Sequence, residues 1–122
     1  MSAQTHDFDL LNRWATLPDS EMEKAISKDS LAVMQRVVHL LADESESEKI
    51  VVDNDTFVRL VREMRELYET GSRSLGESIL QASEYVDNQE IEKAKEVYHR
   101  FLSSCASKFY RDIAKSQLKK LS

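Results

Sequence analysis

The chain has little of what makes turns, ends helices or cross-links a fold: two glycines, one proline and one cysteine among 122 residues. Strand-rich domains need a turn every few residues, and turns consume glycine and proline. The single cysteine, Cys105, excludes a disulfide within the chain and indicates a reducing compartment. These scarcities predict an all-α fold held together without covalent cross-links.

Long apolar runs are also missing. No stretch approaches the roughly 18 apolar residues of a membrane helix, and Asp7 and Asp9 stand where a secretory signal would carry basic residues. We therefore expect a cytoplasmic protein without a membrane segment. Apolar residues make up 41% of the chain, which is too many for a disordered protein. A chain of this length fits one domain over residues 1–122.

The N-terminal part of the sequence predicts three short helices. In the first, Asp7 or Asp9 is the expected N-cap. Pro18 ends that helix or starts the next one, because proline fits only the first turn of a helix. Residues 29–30 are expected to cap the third helix, whose apolar residues recur at helical spacing up to an acidic loop at 43–48.

The remaining sequence predicts a long helical hairpin. Residues 50–52 are β-branched, which favours a short extended stretch that plugs one end of the bundle. From a cap at 55–56, apolar residues follow the helical period for about eight turns, until a turn at 87–88 leads into a second long helix over 91–121. With the short N-terminal helices packed on this antiparallel hairpin, the expected architecture is a four- or five-helix bundle.

Gly71 lies on the apolar stripe of the first long helix. A glycine inside a helix costs about 1 kcal/mol relative to alanine, but its missing side chain lets another helix come close. The alternative is a break of the helix at Gly71-Ser72. We favour the continuous helix.

Residues capable of chemistry are present without forming a recognisable site. Glu96 and His99 match the Glu-x-x-His unit of helical di-iron proteins, which need a second such unit and two more glutamates. Asp53-Asn54-Asp55 resembles the start of a calcium loop but lacks the glycine and the final glutamate of that loop. Cys105 falls on an apolar stripe and is expected in the core, although a pairing with a histidine stays open. We predict a non-enzyme with no metal and no cofactor.

Charge is divided unevenly along the chain. Residues 1–57 hold 12 acidic and 5 basic residues, whereas residues 58–122 hold 10 acidic and 12 basic residues. The acidic half could attract a basic partner protein. Its candidate contact residues are Glu44, Glu46, Glu48 and Asp53. The competing interpretation is a solvated surface that only maintains solubility.

Basic residues concentrate in the last predicted helix, which carries Lys108, Arg111, Lys115, Lys119 and Lys120. They could contact nucleic-acid phosphates, or they could complement the negative end of the helix dipole. The sequence pI of about 5.2 and the lack of a helix-turn-helix pattern argue against nucleic acid as the main partner.

Three stretches of the second half resemble a known family: Gly71-Ser72-Arg73-Ser74-Leu75, Asp87-Asn88-Gln89-Glu90-Ile91-Glu92-Lys93-Ala94-Lys95, and Phe109-Tyr110-Arg111-Asp112-Ile113-Ala114 followed by Gln117-Leu118. Over residues 65–121 they are similar to the motifs of the DUSAM-domain family of small myxobacterial proteins. The resemblance implies no established activity. It singles out Arg73, Tyr110 and Arg111 as recurring polar positions, which either tie the two long helices together or bind an anionic group or an acidic partner.

The sequence as a whole is typical of a non-catalytic protein-interaction module. In a narrower form it is an immunity- or antitoxin-type inhibitor whose acidic half covers a basic toxin, since complementary charge speeds such an encounter. The alternative is a ligand- or nucleic-acid-responsive regulator that uses Arg73, Tyr110, Arg111 and the basic C-terminal helix. A homodimer formed through an uncovered apolar face is also open.

Overall fold

The structure, a computed structural model, describes the backbone of residues 3–122 and the side chains from residue 6 onward. In this part of the chain the regular elements are six α-helices and no strand, which confirms the all-α prediction. The helices are α1 (Ala3–Ala15), α2 (Asp19–Lys24), α3 (Lys28–Leu41), α4 (Phe57–Asp87), α5 (Ile91–Ser104) and α6 (Lys108–Lys120). The number exceeds the four or five helices that the sequence predicts.

The chain forms two compact units, residues 1–68 and residues 69–122, with the boundary inside α4. The organisation of residues 1–122 as one domain and the hairpin arrangement stay predictions.

In the first unit, α1 packs on α3 and an apolar core lies around them. Trp14 contacts Phe57 edge to face, with ring centroids 5.3 Å apart, and Phe8 contacts Tyr68 at 5.0 Å. The fully buried core side chains of this unit include Leu11, Met22, Met34, Val37, Val38, Leu41, Phe57, Leu60 and Val61. Each buried aliphatic or aromatic side chain contributes roughly 1.5–3 kcal/mol to folding, so this set accounts for the unit's cohesion.

Both predicted N-caps of the first helix are wrong. The chain is already helical at Ala3, so Asp7 and Asp9 lie inside α1. Asp7 is buried, and its two carboxylate oxygens accept hydrogen bonds from Nε and Nη2 of Arg36 on α3 at 2.8 and 3.0 Å. A buried carboxylate requires such a partner, and Arg36 supplies it.

The predicted cap of α3 at residues 29–30 is wrong, because the cap lies two to three residues earlier. Ser27 is the N-cap, and its hydroxyl accepts a hydrogen bond from the Ser30 N–H at 3.1 Å while the Ser30 hydroxyl accepts one from the Ser27 N–H at 2.7 Å. This reciprocal capping box satisfies two backbone donors that the start of a helix leaves free. Ser30 therefore belongs to the first turn of the helix.

The helix α4 is continuous through Gly71, as the favoured alternative predicts. It ends at Asp87 in a turn where Gln89 has a positive φ of 63°. Glu90 N–H donates to the Tyr85 carbonyl at 2.7 Å and Gln89 N–H donates to the Val86 carbonyl at 3.0 Å. These are the two bonds of a Schellman cap, and the turn lies at residues 88–89, one residue later than predicted.

The predicted long helix over 91–121 is wrong, because the chain breaks into α5 and α6 at residues 105–107. Cys105 has an extended backbone, with φ −107° and ψ 124°. The sequence predicts this residue in the core, but it is only half-buried. The segment Ser103-Ser104-Cys105-Ala106-Ser107 is rich in serine and cysteine, which support a helix weakly and satisfy backbone groups outside it. The α5 and α6 helices pack against each other.

Candidate functional site

The acidic loop, residues 43–49 between α3 and α4, has a defined conformation. The Asp43 carbonyl accepts hydrogen bonds from the Glu46 and Ser47 N–H groups, both at 2.9 Å. The Asp43 carboxylate accepts from the hydroxyl and the N–H of Ser45 at 2.6 and 2.8 Å. These two bonds stabilise the ionised carboxylate and lower the pKa of Asp43 below its ordinary value. Ser47 is buried, so the loop is anchored at its centre.

The segment that follows the loop is anchored by one side chain of α3. The Gln35 amide donates from Nε2 to the Ile50 carbonyl at 2.9 Å, and its Oε1 accepts from the Val52 N–H at 3.0 Å. Gln35 thus pairs with the extended backbone as a neighbouring strand would. Residues 50–52 are non-helical, as predicted, with Val52 buried and Val51 exposed.

Of the four acidic residues predicted to contact a partner, Asp53 is engaged within the chain. Its carboxylate accepts hydrogen bonds from the N–H and the hydroxyl of Thr56, both at 3.0 Å, just before α4 begins. The Thr56 hydroxyl in turn accepts from the Asp53 N–H at 2.9 Å. Asp53 therefore fixes the turn that starts α4, and its carboxylate is only partly available to a partner.

The other three acidic residues, Glu44, Glu46 and Glu48, are all exposed. Glu46 lies 3.9 Å from the Lys49 ammonium, an exposed pair of the kind that contributes less than about 1 kcal/mol. Within residues 3–122, no hydrogen bond or ion pair joins the side chains of Glu44 and Glu48 to another residue. The structure thus presents three carboxylates of one sign on a single fixed loop.

The first unit also contains an arginine whose role the sequence did not reveal. Arg62 on α4 donates to the carbonyls of Ala15 and Leu17 at 2.6 and 2.7 Å and to the Asp19 carboxylate at 2.9 Å. It therefore binds the end of α1 and the start of α2. Its spacing from Glu66 predicts an i,i+4 pair on α4, and only the structure shows these more distant partners.

In the second unit, Tyr110 packs against the face of α4 that Gly71 leaves open. A Cβ atom built on Gly71 would overlap the Tyr110 ring. The Tyr110 side chain is buried, and its hydroxyl lies 2.9 Å from the Ser72 hydroxyl. This contact explains why Gly71 and Ser72 suit a partner such as Tyr110: the glycine leaves room for the ring, and the serine hydroxyl lies beside the phenol hydroxyl.

Arg111, the next residue, closes the break between α5 and α6. Its guanidinium donates from Nη1 to the carbonyls of Leu102 and Cys105, the latter at 2.9 Å. The last carbonyls of a helix have no partner within it, and a cation there also opposes the negative end of the helix dipole. Arg111 therefore stabilises the C-terminus of α5.

Arg73 differs from Tyr110 and Arg111, the other two positions that the family resemblance singles out. It is exposed, and no hydrogen bond or ion pair joins it to another residue in the described part of the chain. Tyr110 and Arg111 thus have partners inside the second unit, whereas the Arg73 guanidinium faces solvent.

No helix within residues 3–122 is both long enough and apolar enough to cross a membrane. In the same residues, no three histidine, cysteine, aspartate or glutamate side chains converge as they would around a metal ion. The chain matches no protein-family model, no curated protein and no solved structure.

Proposed function

We propose that this protein is a non-catalytic interaction module that binds a basic partner protein through Glu44, Glu46 and Glu48. One observation supports this proposal most: three exposed carboxylates stand on a loop whose backbone is fixed by Asp43, Ser47 and neighbouring bonds. Charges on an ordered loop bind at a lower entropic cost than charges on a mobile one, because less freedom is lost.

The charges of Glu44, Glu46 and Glu48 contribute little to the stability of the fold. An exposed pair such as Glu46–Lys49 contributes less than about 1 kcal/mol, and the three glutamates next to Asp43 repel one another. A partner with clustered lysines or arginines would relieve this repulsion and would be attracted from a distance. In its narrower form, the proposal is that the protein is an immunity- or antitoxin-type inhibitor.

The alternative function is a regulator that senses a ligand or nucleic acid through its basic C-terminal helix. Fewer side chains are available for such binding than the sequence suggests. Tyr110 is buried and Arg111 binds the end of α5, so neither side chain is open to a phosphate. Lys108 also pairs with Asp112 at 2.8 Å. Binding of a ligand or nucleic acid would rest on Arg73, Lys115, Lys119 and Lys120, all exposed.

The DUSAM-domain resemblance and a homodimer both remain proposals. The first rests on the three sequence stretches alone. For the second, exposed apolar side chains are available on α4 at Leu67, Leu80 and Val86. Sedimentation of the purified protein tests self-association directly.

The experiment that tests the main proposal is capture of partners from the native host on the tagged protein, followed by mass spectrometry. The proposal expects one stoichiometric basic protein whose binding weakens as salt rises. Recovery of nucleic acid would favour the regulator, and recovery of this chain alone would favour self-assembly. Either result would contradict a basic protein partner.

A further inference from the structure

A groove in the second unit lies between α4 and α5 and has a volume of about 300 Å³. On the α4 side it is lined by Ser74, Ser78 and Gln81, which share one helix face because they are four and three residues apart. Ser74 and Ser78 contribute short side chains to this lining. This volume lies at the lower end of the range for small-molecule sites.

The α5 side supplies an apolar floor and a cation. Val97 and Phe101 are buried beneath the groove, while Arg100 and Ser104 line its edge. The Ser104 hydroxyl donates to the Phe101 carbonyl at 3.1 Å, and its oxygen remains able to accept. The groove therefore combines an apolar base with a polar rim.

The charge of the groove is opposite to that of the whole chain. No acidic residue lines it, although the protein carries 22 acidic residues and a net charge of −5. Arg100 is exposed, and within residues 3–122 no hydrogen bond or ion pair joins its guanidinium to another residue. An arginine without a carboxylate partner keeps its planar set of donors available for an oxyanion.

We propose that this groove binds a small organic anion, with its carboxylate or phosphate on Arg100 and its apolar body on Val97 and Phe101. The hydroxyls of Ser74 and Ser78 and the Gln81 amide supply further donors to the anionic oxygens. The site lies wholly within residues 69–122 and shares no residue with the acidic loop, so either proposal can fail without the other.

The test uses the 122-residue chain and nuclear magnetic resonance titration with phenyl phosphate, benzoate and neutral benzamide. We expect saturable shifts of the Ser74, Ser78 and Ser104 amides with one or both anions, with Kd in about the millimolar range for ligands of this size. Benzamide should bind at least about tenfold more weakly, because it lacks the charge that a hydrogen bond from Arg100 recognises. The two anions distinguish a phosphate site from a carboxylate site.

Arg100→Gln should weaken anion binding about tenfold or more, while the matched control Lys93→Gln removes an exposed positive charge from the same helix, outside the groove lining, and should leave binding unchanged. Ser78→Leu, which fills the groove, should abolish binding without removing a charge. Absence of saturable shifts with both anions would overturn the proposal. Equal weakening by Lys93→Gln and Arg100→Gln would also overturn it, because it would indicate unspecific attraction of anions to positive charge.

Discussion

At the scale of single residues, the two glycines of α4 differ in what surrounds them. A Cβ at Gly71 would overlap the Tyr110 ring, whereas a Cβ at Gly76 meets nothing within 4 Å. Alanine favours a helix over glycine by about 1 kcal/mol, and overfilling a packed contact costs about 1–3 kcal/mol. The same substitution should therefore have opposite effects at the two positions.

We expect Gly76→Ala to raise the free energy of unfolding by about 0.5–1 kcal/mol and Gly71→Ala to lower it by up to about 2 kcal/mol. Urea denaturation followed by circular dichroism measures both variants, and each serves as the control for the other. Stabilisation by Gly71→Ala would show that Tyr110 does not pack on this face of α4.

Tyr98 should make the free energy of unfolding depend on pH in the alkaline range. Its side chain is buried, and burial raises the pKa of the phenol because the phenolate loses its hydration. The resulting contribution to stability is fully present below the unfolded-state pKa of about 10 and is lost as the pH rises through the higher folded-state pKa. Tyr98→Phe should lose less stability than the wild type when urea denaturation is repeated from pH 8 to pH 11. Identical losses in the two proteins would contradict this account.

At the scale of elements, one side chain of α3 determines whether the segment beside the acidic loop stays ordered. Gln35 makes two hydrogen bonds to residues 50–52, and each is worth about 1 kcal/mol. Gln35→Ala should therefore speed hydrogen exchange of the Val52 amide about tenfold or more, since 1.4 kcal/mol corresponds to a factor of ten.

Gln35→Glu is the matched control for this prediction. Its carboxylate still accepts from the Val52 N–H but no longer donates to the Ile50 carbonyl, so exchange at Val52 should remain closer to that of the wild type. If Gln35→Ala leaves exchange at Val52 unchanged, the segment is held by something other than this amide.

The helix boundaries show which features of the fold can be predicted from the sequence and which cannot. The period of apolar residues is a local property, so it predicted the length of α4 and its continuity through Gly71. The break between α5 and α6 depends on Arg111 reaching back to Leu102 and Cys105, which no local pattern contains. The pairing of Asp7 with Arg36 was missed for the same reason, because the two residues meet only after α1 packs on α3.

At the scale of the whole molecule, some features of the candidate site follow from local sequence and others depend on tertiary contacts. Exposure of Glu44, Glu46 and Glu48 could be predicted, since a stretch without apolar residues has nothing to bury. The fixed conformation of the loop could not be predicted, because it depends on buried Ser47 and on side-chain bonds of Asp43. The groove could not be predicted either, because its lining combines residues of α4 and α5 that are far apart in the sequence.

The central claim is that these three glutamates bind a basic partner, and the most direct measurement compares the partner captured by two charge-reversed variants. Glu44→Lys, Glu46→Lys and Glu48→Lys together reverse the acidic loop. Glu66, Glu77 and Glu84 are exposed glutamates of α4, and their combined reversal to lysine is the matched control with the same net charge. The account predicts that the loop variant loses the partner, by at least about tenfold in affinity, while the control retains it. Equal capture by both variants, or equal loss in both, would contradict the claim.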